Sequence, residues 1–181
     1  MPFAITLCLD PASAAFIERL WQVLAAQGID SDRRDLGYTP HITLTIYPDD
    51  VSIDALQAGF EQVTAPWQPQ PVMLSGIGVF PGPTSILWAA PVVTHDLLRL
   101  QAGVSEALPD LPVHPHYRPG VWVPHITLTG PITDPGPALA ALLPHWRPTT
   151  GLLVRTELVS FRPVKVLRSR TLATADLCGP K

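Results

Sequence analysis

The sequence has only two cysteines, Cys8 and Cys178, among its 181 residues. Two cysteines are too few for a disulfide framework, and their separation matches no common metal-binding spacing. We therefore expect both cysteines to be structural and the protein to work in a reducing compartment, with the cytoplasm as the default.

Long apolar runs and leader segments are also missing. No stretch approaches the roughly 20 apolar residues that a membrane span requires. The first residues lack the basic region, apolar segment and cleavage site of a secretion signal. These absences predict no membrane association and agree with a cytoplasmic protein.

Charged residues make up only 15% of the chain, with a net charge of −3, while 46% is hydrophobic. This composition is typical of a globular protein and argues against one that coats nucleic acid through bulk electrostatics. A local basic stretch could still meet phosphates or simply form a solvated strand face; it comprises Arg155, Arg162, Lys165, Arg168 and Arg170. The chain length predicts a single domain, residues 1–181.

The string Pro-His-Ile-Thr-Leu-Thr occurs twice, at residues 40–45 and 124–129. Alternate side chains of a strand point the same way. One face of each motif strand therefore carries an imidazole and hydroxyls, and the other face carries aliphatic side chains. The polar residues are His41, Thr43 and Thr45 in the first copy and His125, Thr127 and Thr129 in the second.

The apolar spacing predicts the same order of elements in each half of the chain: strand, helix, motif strand, helix, strand. Predicted strands, besides the first motif, are residues 3–9, 72–80, 86–90, 121–129, 152–161 and 164–173. Predicted helices have the apolar stripes Phe16, Ile17, Leu20 and Leu24; Ile53, Leu56, Phe60 and Val63; Leu97, Leu100, Val104 and Leu108; and Leu139, Leu142, Leu143 and Trp146. Residues 30–35 and 109–120 are predicted loops.

This order predicts a bilobal α+β fold made of two β-α-β-α-β half-copies, about residues 1–83 and 84–181. Antiparallel-rich sheets would surround a central cleft, with helices on the outer faces. An approximate two-fold axis would then bring the two motif strands together across the cleft.

Two histidines in one cleft can supply a base and an acid in the same turnover. A threonine two residues along each strand can donate its hydroxyl proton to a phosphoryl oxygen in the transition state. The combination predicts a phosphodiester site that needs no metal, with His41 and His125 catalytic and Thr43 and Thr127 binding phosphate.

The sequence lacks the motifs that other classes of hydrolase require. No Gly-x-Ser-x-Gly elbow is present, neither motif has a carboxylate close by, and His-Glu-x-x-His is absent. His114 and His116 have a spacing that metal ligands use, but with no third partner nearby we place them on an exposed loop at the cleft edge.

The two motifs resemble those of the two-histidine phosphoesterase superfamily, within it the bacterial 2′-5′ RNA ligase/cyclic phosphodiesterase-like proteins. The matching strings are His-Ile-Thr-Leu at residues 41–44 and 125–128. The resemblance implies a bilobal α+β fold, catalysis by both histidines, phosphate contacts from both threonines and no cofactor. Members of this family open 2′,3′-cyclic phosphates to 2′-phosphates, and some join RNA ends weakly in the reverse direction.

Aromatic residues near the motifs are candidates for substrate contacts. Phe80, at a strand end, and Tyr117, in the long loop, could form a platform for a base or ribose, and Arg118 could assist phosphate. Tyr38 and Trp122 precede the motifs by three residues, so strand alternation assigns them to the core.

We therefore expect a metal-independent phosphodiesterase that acts on a small cyclic phosphate, such as a 2′,3′-cyclic nucleotide, an RNA end or a cyclic ADP-ribose derivative. The alternatives are an RNA- or nucleotide-binding module with little activity and a 2′-5′ RNA end-joining enzyme. The expected partner is a cyclic-phosphate nucleotide or RNA end, and the expected state is a monomer.

Overall fold

A curled antiparallel sheet organises the chain. The computed structural model describes residues 1–173, which contain seven strands, five α-helices and two single-turn 3-10 helices. The α+β class predicted from the sequence is confirmed. The strands are β1 (Phe3–Leu9), β2 (His41–Tyr47), β3 (Gln70–Phe80), β4 (Ile86–Pro91), β5 (Ile126–Thr127), β6 (Thr149–Ser160) and β7 (Lys165–Thr171). The helices are α1 (Pro11–Ala26), α2 (Asp32–Leu36), α3 (Ile53–Thr64), α4 (His95–Ala107) and α5 (Pro135–Leu142), with 3-10 turns at Pro115–Tyr117 and Leu143–His145.

Helix α1 begins where its sequence predicts. The carboxylate of Asp10 accepts hydrogen bonds from the backbone N–H groups of Ala12 and Ser13 at 3.0 and 3.1 Å, which satisfies two donors of the first turn. The same carboxylate accepts a 2.8 Å bond from the N–H of Leu152 on β6. The cap therefore also fixes the helix to the sheet, and the predicted stripe of Phe16, Ile17, Leu20 and Leu24 is buried.

The strands follow the order β2-β1-β6-β3-β4-β5, with β7 paired to β6, and every pairing is antiparallel. The order is symmetric about its centre. Strands β1, β2 and β3 of the first half of the chain occupy positions equivalent to those of β4, β5 and β6 of the second half. Two half-copies related by a two-fold axis would produce this arrangement. The division of the chain at residues 83 and 84 stays a prediction.

The two strands that carry the motifs lie at opposite ends of the strand order, yet β2 and β5 lie beside each other. The sheet must therefore curl until its two edges meet. The indole Nε1 of Trp122 closes this contact by donating a 3.0 Å hydrogen bond to the backbone carbonyl of Thr43. The curl brings both motifs to one place.

Helices pack on the sheet in two pairs, α1 with α5 and α3 with α4. Each pair joins a helix from the first half of the chain to one from the second. Leu20 and Leu24 of α1 and Leu56 and Phe60 of α3 contribute fully buried side chains to a common apolar core. Within residues 1–173, none of the helices combines the length and apolarity needed to cross a bilayer.

The second motif strand is much shorter than the predicted residues 121–129. The N–H groups of Val121 and Trp122 bond to the carbonyl of Arg118 in a turn, at 3.2 and 3.1 Å, and therefore join no ladder. Beyond Thr127, the hydroxyl of Thr129 accepts the N–H of Leu87 at 2.9 Å and interrupts the pairing with β4. Turn hydrogen bonds thus replace the ladder before the motif, and after it the N–H groups of Leu128 and Thr129 share the Leu87 carbonyl, at 2.8 and 3.2 Å, in place of regular pairing.

Two further predictions are wrong. The predicted loop 30–35 is mostly helical, because α2 covers Asp32–Leu36, and the fourth predicted helix ends at Leu142, which leaves Leu143 60% exposed. Pro144 follows directly, and a proline has no N–H to donate to a continuing helix.

Cys8 is buried in β1, where burial raises the pKa of its thiol to about 11. Cys178 lies outside the described residues.

Candidate active site

Residues of both motifs line one cavity of about 170 Å³. The sequence predicted that the two histidines and the two threonines would meet, and the structure places all four on this cavity: His41, Thr43, His125 and Thr127. Their catalytic and phosphate-binding roles stay predictions.

The aliphatic residues of each motif fix its polar residues toward the cavity. Ile42 and Leu44 are fully buried, and Ile126 and Leu128 are 1% and 0% exposed. Alternation on β2 and β5 then turns the intervening histidine and threonine side chains away from the core. The apolar half of the motif therefore orients its chemical half.

Alternation fails in the second half of β2. A β-bulge shifts the register between β1 and β2, so that Ile5 pairs with Thr45 while Thr6 pairs with Thr43. Thr45 consequently turns into the core, and Ile46 lines the cavity instead. Neither Thr45 nor Thr129 lines it, so the predicted shared face ends at Thr43 and Thr127.

Each histidine ring is held by a backbone carbonyl two residues before it. The Nδ1 atoms of His41 and His125 lie 2.8 Å from the carbonyl oxygens of Thr39 and Val123. A carbonyl can only accept, so Nδ1 carries the proton in both rings. In the neutral form, Nε2 therefore has a free lone pair, and Nε2 is the atom available for proton transfer.

Both histidines are half-buried, and burial lowers the pKa of each. The pKa of His41 falls to about 4, because the positive charge of Arg33 and the proximity of His125 add to the effect of burial. The hydrogen bonds to the Thr39 and Val123 carbonyls oppose this lowering in the two rings. The free protein therefore carries neutral imidazoles at pH 7.

The prediction that Tyr38 belongs to the core is wrong. Strand β2 begins only at His41, so alternation does not extend back to Tyr38, which lines the cavity. Its ring centroid lies 4.6 Å from that of His41, and its hydroxyl donates a 2.8 Å hydrogen bond to the carboxylate of Glu157. Glu157 is buried and also accepts a 2.7 Å bond from Arg155.

The prediction that Trp122 belongs to the core is confirmed, since this residue is 8% exposed.

Aromatic rings surround His125. The Phe80 ring meets the His125 ring edge-on, with 5.0 Å between centroids, and stacks on Trp88 at 5.0 Å. Gly78 permits this stack, because a Cβ atom there would lie 2.3 Å from the Trp88 ring. Phe80 is therefore fixed beside the second histidine, as the prediction of a substrate contact requires.

An apolar groove of about 620 Å³ opens next to the cavity, and the two share His125 and Tyr117. Its other lining residues contain no lysine or arginine; they are Phe80, Pro81, Gly82, Pro83, Thr84, Ile86, His116, Val121, Trp122 and Val123. A flat, uncharged group such as a nucleobase suits this lining.

Tyr117 occupies the junction between cavity and groove. The side-chain amide of Gln101 donates a 2.6 Å hydrogen bond to the Tyr117 carbonyl, and burial raises the pKa of the Tyr117 hydroxyl to about 12. Arg118, the third candidate contact, is exposed and lines neither space. The structure therefore does not bring Arg118 to the site.

Two arginines line the cavity, Arg33 and Arg162. Arg33 lies on α2, within the segment predicted as a polar loop, so sequence reasoning missed it. Arg162 belongs to the basic stretch noted in the sequence and pairs with Asp32 through two bonds of 2.6 and 2.7 Å. Arg155, Arg168 and Arg170 do not line the cavity; Arg155 bonds to Glu157 and Thr39 behind it, and the other two bond to Gln57 and Thr64.

His114 and His116 lie on the exposed loop as predicted, with ring centroids 5.1 Å apart, and His116 lines the groove. In the part of the chain that the structure describes, no three His, Cys, Asp or Glu side chains are grouped as metal ligands would be.

A comparison with protein families finds one matching model, described as the 2′-5′ RNA ligase superfamily, over residues 9–161. The match includes both motifs, α2 and the aromatic residues beside His125. A comparison with curated proteins finds no significant match.

Solved structures similar to this one include TT0787 of Thermus thermophilus, at 20% identity and a TM-score of 0.63, with 97% of this chain and 100% of that chain covered. E. coli LigT complexed with 3′-AMP is 17% identical with a TM-score of 0.65, covering 96% and 100%. Usb1 of Kluyveromyces marxianus is 16% identical with a TM-score of 0.59, covering 96% and 98%. At these identities the similarity concerns the fold.

Proposed function

Because the chain belongs to the 2′-5′ RNA ligase superfamily, we propose that it is a phosphodiesterase that opens cyclic phosphates with His41 and His125 as its acid–base pair. The membership agrees with the resemblance to two-histidine phosphoesterases that the motifs indicate. Phosphodiesterase or RNA ligase-like chemistry follows from the family, whereas the cyclic phosphate substrate is specific to this proposal.

One observation carries the proposal. Both motif histidines line the same cavity, and each has its Nδ1–H bonded to its own backbone, at 2.8 Å in both cases. This arrangement leaves two Nε2 atoms, each able to accept or return a proton beside a single bound group. General acid–base catalysis needs such a pair, each member of which contributes on the order of 10²–10⁴ in rate.

The reaction divides between the two rings. One Nε2 takes a proton from water while the water oxygen bonds to phosphorus. The other ring, protonated, gives its Nε2 proton to the ribose oxygen whose bond to phosphorus breaks, which yields a phosphate monoester. The hydroxyls of Thr43 and Thr127 donate hydrogen bonds to the non-bridging oxygens and stabilise their developing charge.

We assign the base to His41. Burial and the nearby Arg33 charge lower its pKa to about 4, whereas no positive side chain is among the causes that lower the pKa of His125, so His41 is the ring that is harder to protonate. His125 is then the acid. A bound phosphate anion favours the protonated form of a nearby imidazole and counteracts the effect of burial on its pKa.

The groove supports a nucleotide substrate. The catalytic cavity of about 170 Å³ adjoins the apolar groove of about 620 Å³, and His125 and Tyr117 line both. A base lying on the Phe80 ring would leave the cyclic phosphate at the cavity. LigT of E. coli, which shares the fold, has been crystallised with 3′-AMP.

The test is turnover of nucleoside 2′,3′-cyclic phosphates in the presence of EDTA. We expect hydrolysis by the wild-type chain, and loss of at least about 10²-fold in kcat for His41→Ala and for His125→Ala. His145→Ala is the matched control, because His145 lies in the turn after α5 and does not line the cavity. Wild-type turnover by the double histidine variant would contradict the proposal.

RNA end joining is the second candidate, and the name of the matched family favours it. The same acid and base serve joining, in which a 5′-hydroxyl rather than water loses its proton and bonds to phosphorus, while the same ribose oxygen leaves and is protonated. Incubating RNA fragments that end in a 2′,3′-cyclic phosphate and in a 5′-hydroxyl would reveal joined product. Binding of a 2′-phosphorylated nucleotide without any turnover or joining would instead indicate a binding module.

A further inference from the structure

We propose that Arg33 is a third ligand of the reacting phosphate, together with Thr43 and Thr127. This inference rests on the proposed function, since it concerns the group that the cavity binds. The family motifs contain no arginine, and the assignment comes from the placement of α2.

Helix α2 is tied to two separate segments of the second half of the chain. Just before it, the carboxylate of Asp30 accepts a 2.6 Å hydrogen bond from the backbone N–H of Gly130, which directly follows the second motif. Within it, Asp32 binds Arg162 of the β6–β7 turn through bonds of 2.6 and 2.7 Å. These ties place the next residue, Arg33, between the two motif strands.

Arg33 lines the catalytic cavity and also a small recess beside it, where its neighbours include His41 of the first motif and Thr127 of the second. A group that bridges the two motifs would therefore lie next to the guanidinium. The reacting phosphate is that group.

The guanidinium is mostly buried but uses few of its donors. Its side chain is 20% exposed, and within residues 1–173 Asp32 is its one side-chain partner. Its Nε is buried and has no hydrogen-bond partner in the part of the chain that the structure describes. Both oxygens of Asp32 are already bonded to Arg162. Buried donors without acceptors are costly, and a phosphate oxygen would supply acceptors in the charge-assisted geometry that arginine favours.

The position of the groove favours the reacting phosphate over a second phosphate of the ligand. The rest of a nucleotide would extend from the cavity past His125 into the groove, which Arg33 does not line and whose lining has no arginine or lysine. A remote phosphate would follow that course, away from α2.

The test begins with inorganic phosphate, whose binding needs no turnover. Calorimetry should show about 10- to 100-fold weaker phosphate binding by Arg33→Met, as expected for a lost charge-assisted hydrogen bond. Arg34→Met is the matched control, because Arg34 is half exposed, pairs with Asp35 and does not line the cavity. Equal phosphate affinity in Arg33→Met and wild type would overturn the assignment, as would a wild-type chain that binds no phosphate.

Turnover then distinguishes the two phosphates. Arg33→Met should lose the same factor in kcat/KM with a nucleoside 2′,3′-cyclic phosphate that has a 5′-hydroxyl and with one that has a 5′-phosphate. A loss confined to the 5′-phosphorylated substrate would assign Arg33 to a second phosphate and overturn the proposal.

Added guanidinium ion provides a check on misfolding. It should partly restore phosphate binding to Arg33→Ala but not to Thr43→Ala, because only the first variant has a vacancy of the right shape and charge. Absence of rescue in an Arg33→Ala variant that unfolds at the wild-type temperature would count against the assignment. If the wild-type chain binds phosphate through Arg33 yet opens no cyclic phosphate, the proposed function fails while this inference stands.

Discussion

The indole Nε1 of Trp122 donates a 3.0 Å hydrogen bond to the backbone carbonyl of Thr43, across the line where the two edges of the sheet meet. A second bond runs in the opposite direction, from Trp21 Nε1 on α1 to the carbonyl of Thr127, at 3.1 Å. Each motif threonine is therefore held by an indole from the other half of the chain. The spacing of the two motifs depends on these contacts.

Replacing Trp122 with phenylalanine should lower both stability and activity. The variant keeps an aromatic ring but leaves the Thr43 carbonyl without its donor, at a cost of about 1–3 kcal/mol in the free energy of unfolding. Urea unfolding measures this loss, and kcat/KM should fall with it because the motif strands are less firmly held. Trp67→Phe is the control, since Trp67 is half-buried and its indole makes no side-chain hydrogen bond to the described residues. Equal unfolding free energies in the two variants would contradict the prediction.

The pH dependence of kcat/KM should reflect the two lowered histidine pKa values. Catalysis requires one proton on the pair, and kcat/KM reports the free protein. Burial lowers the pKa of His41 to about 4 and that of His125 below its ordinary value. The singly protonated form is therefore most populated on the acid side of about pH 6.5, and the bell-shaped profile should have its maximum there. Both limbs of the kcat profile should lie at higher pH than those of the kcat/KM profile, because the bound phosphate anion raises the pKa values of both histidines. A kcat/KM profile that keeps rising above neutral pH would be inconsistent with this assignment.

Replacing Tyr38 with phenylalanine tests how His41 is held. The ring against His41 remains, but Glu157 loses a 2.8 Å hydrogen bond from the hydroxyl. We expect a loss of about 1–3 kcal/mol in the free energy of unfolding, together with a shifted acid limb of the pH profile, because the buried carboxylate raises the pKa of His41. Tyr47→Phe is the matched control, since the Tyr47 hydroxyl is buried and makes no hydrogen bond of normal geometry with the described residues. Unchanged stability and pH profile in Tyr38→Phe would refute the positioning role.

Replacing Phe80 with alanine should weaken the binding of substrates that contain a nucleobase. Stacking of a base on an aromatic ring contributes about 1–3 kcal/mol, so KM for a nucleoside 2′,3′-cyclic phosphate should rise about 5- to 150-fold. Ribose 2′,3′-cyclic phosphate, which has no base, is the control substrate and reports any disturbance of His125, whose ring contacts Phe80. If KM rises by the same factor for both substrates, Phe80 positions His125 and does not bind the base.

Much of the fold could be predicted from local patterns. The cap at Asp10, the stripe of α1 and the strand β1 depend on neighbouring residues, and each has the predicted form. The second motif strand does not, because a turn at Arg118 and the hydroxyl of Thr129 take over the backbone groups that a regular strand would pair. The turn is local, but the hydroxyl of Thr129 bonds to a residue 42 positions earlier in the chain, which no local pattern indicates.

The candidate site likewise contains residues that the sequence identifies and residues that only the structure brings there. His41, Thr43, His125 and Thr127 could be found because the motif is repeated. Tyr38 was misassigned since strand alternation does not apply before β2 begins, and Arg33 was missed since no local pattern distinguishes it from Arg34. Both line the cavity because of long-range contacts, those of Tyr38 with Glu157 and of Arg162 with Asp32.

By itself, the sequence determined the four polar side chains of the motifs and the faces on which they lie, because alternation in a strand depends only on neighbouring residues. The sequence also predicted that the two motif strands would meet. Tertiary structure alone decided that they do so by the curling of one sheet, that a bulge turns Thr45 inward, and that Arg33 lies beside both motifs. These features result from sheet curling and from hydrogen bonds between residues far apart in the chain, such as Gly130 with Asp30, which no local spacing encodes.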